Sequence, residues 1–275
     1  MIVMPSSPWN PEAYLNYASE RTQPFIDLLQ RTQQLQPAQL LEARTVLDLG
    51  CGPGNGMRIL RAMHPKAEII GIDSSAEMLS QAAESTADDT GIRYVHADIR
   101  TLTLESLGLE QPADLVVSNA ALQWLPDHRE LLPRIMDLVA PGGALAVQVP
   151  GNFSAPSHRL LAEHAARPEY ARHIDPDSLL QPTAELTDYM LDVSLPGWTV
   201  EAWETRYHHV LQGEDPVFRW ISSTAARPVL QSLPAAEREQ FSAEYKAALR
   251  EAYPQTRIGT ILPFRRLFFI ARREG

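Results

Sequence analysis

The stretch TVLDLGCGPGNG, Thr45 to Gly56, holds an acid, Asp48, two residues ahead of Gly50, and then Gly52 and Gly54. Glycines placed directly after an apolar, β-branched run let the chain turn sharply. They also let a ligand come against backbone N–H groups at a helix start, which favours a carboxylate or a phosphate. The spacing here is G-x-G-x-G, whereas the dinucleotide fingerprint is G-x-G-x-x-G, and Asp48 calls for a cationic group that a pyrophosphate lacks. Further along, Asp73 can accept both hydroxyls of a ribose, as the corresponding acid does in nicotinamide enzymes. Ser74 with Glu77 reads as a capping box for the next helix, leaning Met78 over the pocket. Asp98 offers an acceptor for an exocyclic amine, and SNAALQWLPD places Asn119 and Trp124 at the mouth. Cys51 reads as a small filler, since no histidine is paired with it to make a nucleophile.

These residues lie at the ends of strand-like runs: TVLDLG, AEIIGID, IRYVHAD and ADLVVSNA, with ALAVQVP as a fifth after the helical DHRELLPRIMDLV and the stop APGG. Strands alternating with helical segments imply a mostly parallel, doubly wound sheet covered on both faces, and such sheets bind ligands at the strands' carboxyl ends. Ahead of the first strand, Trp9-Asn10-Pro11 reads as a helix start, with Trp9 stapled to Tyr14, and Pro24 is expected to divide the following apolar stripe into two helices. The N-terminal helices and the α/β core occupy 1–150. The pattern then changes: 151–197 and 212–262 read as helical cap insertions, 198–211 and 263–275 as the last strands of a seven-stranded sheet. Phe241, Tyr245 and Ala248 form a helix-packing stripe.

Bulk properties bound the function. The chain has 275 residues, net charge −10 and one cysteine. The acidic balance argues against nucleic acid. One cysteine excludes an internal disulfide framework and a cysteine-based zinc cluster; no metal site is expected. No apolar run approaches the roughly 20 residues that span a bilayer, and the N-terminus lacks the basic and apolar regions of a signal peptide. A cytoplasmic protein is expected.

The strand-end groups together ask for a ligand with a carboxylate, an amine, a ribose and an amino-purine, and S-adenosylmethionine carries all four. DLGCGPG, GIDSSAEML, HADIR and SNAALQWLPDH resemble the successive motifs of class I S-adenosylmethionine-dependent methyltransferases, whose fold is Rossmann-like. More narrowly, WNPEAYLNYASERTQP, LPRIMDLVAPGGALAVQVPGN, WISSTAARPVLQSL and FRRLFFIARR are similar to the ends and cap of the trans-aconitate 2-methyltransferase family. The resemblance implies methyl transfer to one carboxylate of trans-aconitate, giving the monomethyl ester and S-adenosylhomocysteine. It implies Asp48, Gly50, Gly52 and Gly54 around the methionine part, Asp73 on the ribose, Asp98 with Ile99 around the adenine, and Trp9, Tyr14 and Arg21 folded over the cofactor.

A carboxylate nucleophile is already ionised at neutral pH and needs no general base, so no catalytic acid or base is expected and positioning should dominate. A tight arginine fork on the attacking oxygen would blunt it. Arginines should therefore hold the spectator carboxylates while a weaker donor orients the third. Trp124, Tyr207, His208, Trp220, Arg227, Arg265 and Arg266 are the candidates, Arg227 and Tyr207 foremost, because arginine suits bidentate carboxylate capture. His208 and His209 point to opposite strand faces and cannot share a metal; Arg265 and Arg266 alternate likewise, so at most one of each pair faces a site. The alternatives are a methyltransferase for another small carboxylic acid or for a phenolic or quinone acceptor, a nicotinamide-dependent dehydrogenase, and a cofactor-binding module without turnover.

Overall fold

Val46, Leu47 and Leu49, with Ile69, Ile70 and Ile72, are fully buried, as strands covered on both faces must be. The computed structural model describes residues 18–35, 42–175, 179 and 182–275. The strands are β1 (Thr45–Leu49), β2 (Glu68–Asp73), β3 (Ile92–His96), β4 (Ala113–Asn119), β5 (Val139–Pro150), β6 (Trp198–Leu211), β7 (Gln255–Thr256) and β8 (Gly259–Arg273). The helices are α1 (Ala18–Leu35), α2 (Met57–Met63), α3 (Ala76–Ser85), α4 (His128–Met136), α5 (Pro156–Ala165), α6 (Pro168–Ala171), α7 (Leu186–Val193), α8 (Pro216–Ser222), α9 (Arg227–Ser232) and α10 (Ala235–Ala252).

β1 pairs in parallel with β2 and β4, β2 with β3, and β4 with β5. The strand order is β3-β2-β1-β4-β5-β8-β6, with β7 on β8 outside that path. The sheet therefore has eight strands, the expected seven in its main path and the two-residue β7 in addition. The order reverses between β1 and β4, the switch point at which open sheets take ligands.

The chain forms two units. The first runs to Val149 and takes in Glu185–Trp203 and Phe268–Gly275; the second comprises Pro150–Ala184 and Glu204–Leu267. The divisions fall at Glu185 and inside the two long strands, whereas the sequence places them at the strands' ends. Residues from Glu185 go with the first unit because α7 is tied to α4: Arg129 forks Asp192 at 2.6 and 3.0 Å, and His128 meets the fully buried Tyr189. In the second unit, α10 buries Phe241, Tyr245 and Leu249, and the Tyr245 hydroxyl donates to the Ser157 carbonyl at 2.7 Å.

Three local expectations change. Pro24 does not divide α1, which continues through it; burial of Phe25, Leu28 and Leu29 holds the turns that the missing N–H leaves one bond short. The cap of α3 is Ser75, whose side chain accepts from Met78 N, so no Ser74–Glu77 box forms. The APGG segment opens β5 rather than preceding it: Gly142 has φ +79, and the register with β4 shifts between Ala113 and Leu115. Of the 212–262 insertion, three helices form, α8, α9 and α10, but its end is strand rather than helix, in β7 and the start of β8 at Gly259. The expected start at Trp9-Asn10-Pro11 lies outside the described residues, and the structure describes Arg21 in α1 only as backbone.

Candidate functional site

In the first unit the glycine loop leaves β1 with Gly50, Gly52 and Gly54 at φ +77, +55 and +82, a region L side chains rarely occupy. Gly50 N and Cys51 N both donate to the Ile72 carbonyl, at 2.8 and 3.0 Å, which ties the loop to β2. A Cβ at Gly50 would lie 2.3 Å from Ala121 Cβ, whereas among the described residues one at Gly52 would meet nothing within 4 Å beyond its chain neighbours. The first glycine therefore serves packing, and the second faces open space beside its backbone.

Asp73 links the loop to the turn before α3. One carboxylate oxygen accepts from Gly52 N and the other from Ser75 N, both at 2.9 Å. Asp48 is 4% exposed; burial first, and the Asp73 charge second, push its pKa up to about 7. A carboxyl so placed gains by meeting a cation, which relieves both causes. Burial also pushes the Cys51 thiol far up, with Asp48 and Asp73 adding to it, so this cysteine is inert.

On the β3 side, Asp98 caps the turn Ile99–Thr101, accepting from Arg100 N at 2.9 Å. The Arg100 guanidinium grips the same carboxylate at 2.5 to 3.0 Å and holds its pKa below the usual range. Ile99 reaches the glycine loop, its Cδ1 3.8 Å from where a Gly50 Cβ would be. Ser74 is exposed and its carbonyl meets His96 Nε2 at 2.9 Å; Met78 is buried to 3%.

The β4 side closes the crevice. Asn119 ends the strand with its Oδ1 buried and without a hydrogen-bond partner among the described residues. Ala120 follows at φ +53, strained backbone of the kind that gathers at ligand sites. Gln123, not among the residues expected from sequence, is 7% exposed with its Oε1 likewise unmet. Trp124 is half-buried in the turn Leu122–Trp124. His128 anchors the start of α4 to that turn and to α7. A carbonyl can only accept, so Nδ1–H donates to Leu125 O at 3.1 Å, leaving Nε2 to accept from the Tyr189 hydroxyl at 2.7 Å. Burial lowers the His128 pKa, in keeping with that neutral form.

The second unit holds a separate cluster. The His209 ring stacks on Trp220 at 4.9 Å and lies 6.1 Å from Tyr207. Phe264 is 5.6 Å from Trp220 and carries Arg266 over its face at 4.4 Å. His209, Trp220, Phe264 and Arg266 are all buried. Tyr207 and Trp220 each lie beside the His209 ring, while His208 is exposed on the other strand face. Arg265 forks Glu204 at 2.8 and 2.6 Å; the buried member of the pair is Arg266. Arg227 opens α9, and burial lowers its pKa. The two-residue strand period is the signal that pairs Tyr207 with His209 and Phe264 with Arg266. Trp9 and Tyr14 lie outside the described residues. Among the described residues no cluster of three or more histidines, cysteines or acids is placed to hold a metal ion, and no helix is long and apolar enough to cross a membrane.

Residues 46–143 match the methyltransferase domain family. Over nearly its whole length the chain is similar to trans-aconitate 2-methyltransferases: 46% identical to that of Streptomyces avermitilis, covering 97% of both chains. The likeness is 42% with Methylobacterium nodulans, over 96% of this chain and 98% of the relative, and 40% with Escherichia coli, over 97% and 99%. Among solved structures, the plantazolicin methyltransferase BpumL in complex with SAH superposes with TM-score 0.56 at 12% identity, over 98% of this chain and 92% of that one. A methyltransferase structure from Bacillus halodurans superposes at 0.57 and 14%, over 90% and 99%. These two likenesses show a shared Rossmann-like fold. With a switch-point cradle built from its own glycines and acids, and relatives matched from end to end, the chain belongs to the trans-aconitate 2-methyltransferase family.

Proposed function

We propose that the protein transfers the methyl group of S-adenosylmethionine to a carboxylate of trans-aconitate, giving the monomethyl ester and S-adenosylhomocysteine. The observation that carries the acceptor is the full-length likeness to relatives bearing that name, because it extends through the second unit and not only through the matched 46–143 domain.

The cradle's own chemistry fits the cofactor. When bound, S-adenosylmethionine supplies an electrophilic methyl group. Asp48 and the Asn119 carbonyl oxygen are buried acceptors suited to its ammonium, and the open side of Gly52 lets a ligand reach the loop's backbone. Asp73, partly exposed, is left to receive ribose hydroxyls beside its two backbone bonds. Asp98 and Ile99 flank an adenine; Ser74, Met78, Trp9, Tyr14 and Arg21 complete the proposed cofactor residues. The Arg100 grip leaves Asp98 lone pairs enough for one more donor.

For the acceptor we assign Tyr207, Trp220 and Arg227 of the second unit, and add Arg266 with His209; Trp124 is the candidate of the first unit. A buried guanidinium is a strong receiver of carboxylate. Arg265 and His208 remain weaker candidates, the first being held by Glu204 and the second exposed. Nothing in the reaction asks these residues to move a proton: the acceptor carboxylate is ionised at neutral pH. Their work is to orient it and to exclude water. The partner is a small polycarboxylate rather than nucleic acid, and the compartment the cytoplasm.

Mass spectrometry of products from S-adenosylmethionine and a mixed panel of aconitate-like, citrate-like and phenolic acids tests the assignment. A methylated phenol with unmodified trans-aconitate would overturn it.

A further inference from the structure

The Gln123 side chain folds back on its own turn: Nε2 donates to the Ala120 carbonyl at 2.6 Å. Its Oε1 is then buried and meets no donor among the described residues. Native structures keep such an unmet amide oxygen only with a reason. The turn is strained at Ala120, φ +53. It is also pressed on the glycine loop so closely that Gly50 has no room for a Cβ against Ala121. Gln123 is thereby fixed at the β1–β4 crevice, four residues beyond Asn119, whose Oδ1 is unmet as well. The amide oxygen offers an acceptor there beside that of Asn119.

We propose that Gln123 is a cofactor-binding residue whose Oε1 accepts from the positively polarised end of S-adenosylmethionine's methionine part, through an ammonium N–H or a sulfonium methyl C–H. This rests on the proposed use of S-adenosylmethionine and deepens it with a residue of its own.

Calorimetric titration of Gln123→Met and Gln123→Glu with S-adenosylmethionine and S-adenosylhomocysteine tests it, with the melting midpoint of each unliganded variant as a fold control. Gln123→Met is expected to bind S-adenosylmethionine about ten-fold or more weakly. Gln123→Glu, which keeps an acceptor oxygen and loses the donor to Ala120, should bind at least as well as wild type. An equal loss for S-adenosylhomocysteine in Gln123→Met assigns the ammonium; a loss confined to S-adenosylmethionine assigns the methyl group. Wild-type affinity in Gln123→Met overturns the proposal. So does an equal loss in Gln123→Glu, which would make the bond to Ala120 the residue's whole role. Should Gln123→Met fail to fold, the Gln123→Glu affinity alone decides. Failure of the underlying cofactor assignment looks different: the wild-type protein itself would not bind S-adenosylmethionine.

Discussion

Replacing Gly52 by alanine adds one methyl group at φ +55, where no described residue beyond its two chain neighbours lies within 4 Å of it. The cost to the unliganded fold is left-handed strain alone, about 1–2 kcal/mol, a drop of a few degrees in melting midpoint for a chain of this size. If the cofactor comes against the backbone of that loop, the new methyl group occupies its space, and affinity should fall about ten-fold or more. Gly50→Ala is the contrast. There the strain at φ +77 is joined by a 2.3 Å overlap with Ala121, and overpacking adds about 1–3 kcal/mol. Calorimetry of both variants with S-adenosylmethionine, beside their unliganded melts, reads the two effects apart. Gly52→Ala should lose affinity with little loss of stability, and Gly50→Ala should lose stability first. Wild-type affinity in Gly52→Ala would refute the placement of the cofactor, and equal melting of the two variants would refute the packing role of Gly50.

Asp48 is protonated in the unliganded fold up to about pH 7 but ionised in the unfolded chain above about pH 4. The folded state therefore holds the extra proton between these values, and stability falls as pH rises through that window, by on the order of 4 kcal/mol. Asp48→Asn should flatten the slope in urea titrations, and an unchanged slope would contradict the assignment. Pairing Asp48 with a cofactor ammonium should release a proton below pH 7, seen as a buffer-dependent binding enthalpy; equal enthalpies in two buffers would oppose that pairing. Tyr189→Phe leaves His128 Nε2 without its 2.7 Å donor and should cost about 1–2 kcal/mol in urea unfolding; an unchanged midpoint would show the pair to be idle. Arg266→Leu should raise KM for trans-aconitate about ten-fold with kcat less affected, while Arg265→Leu, which loses an ion pair to the exposed Glu204, leaves KM near wild type. The reverse order would exchange their roles.

The sheet was legible because parallel strands buried on both faces read as unbroken apolar runs, and TVLDL and EIIGID could be placed without long-range information. The placement of the loop glycines and of Asp73 and Asp98 is legible for the same reason, since they end those runs or come directly after them. What misled was local chemistry with two solutions. Ser74 and Ser75 can both cap a helix, and the Asp73 carboxylate, by taking Ser75 N, settles the turn on the second. Pro24 breaks helices in isolation, yet the buried face of α1 outweighs one missing bond. Strand alternation shows that at most one residue of each adjacent pair, His208/His209 and Arg265/Arg266, faces a site, but not which. That choice depends on Trp220, which packs on both His209 and Phe264, a contact between elements that strand alternation does not show. Gln123 gave no signal, because an unmet oxygen is a property of packing rather than of residue type.

The most direct test follows a carbon-labelled methyl group from S-adenosylmethionine in the presence of trans-aconitate by NMR. Methyl transfer to the carboxylate predicts an ester methyl resonance growing in step with S-adenosylhomocysteine, one for one. Label remaining on the cofactor, or passing to a phenolic acid while trans-aconitate stays unmodified, would contradict it.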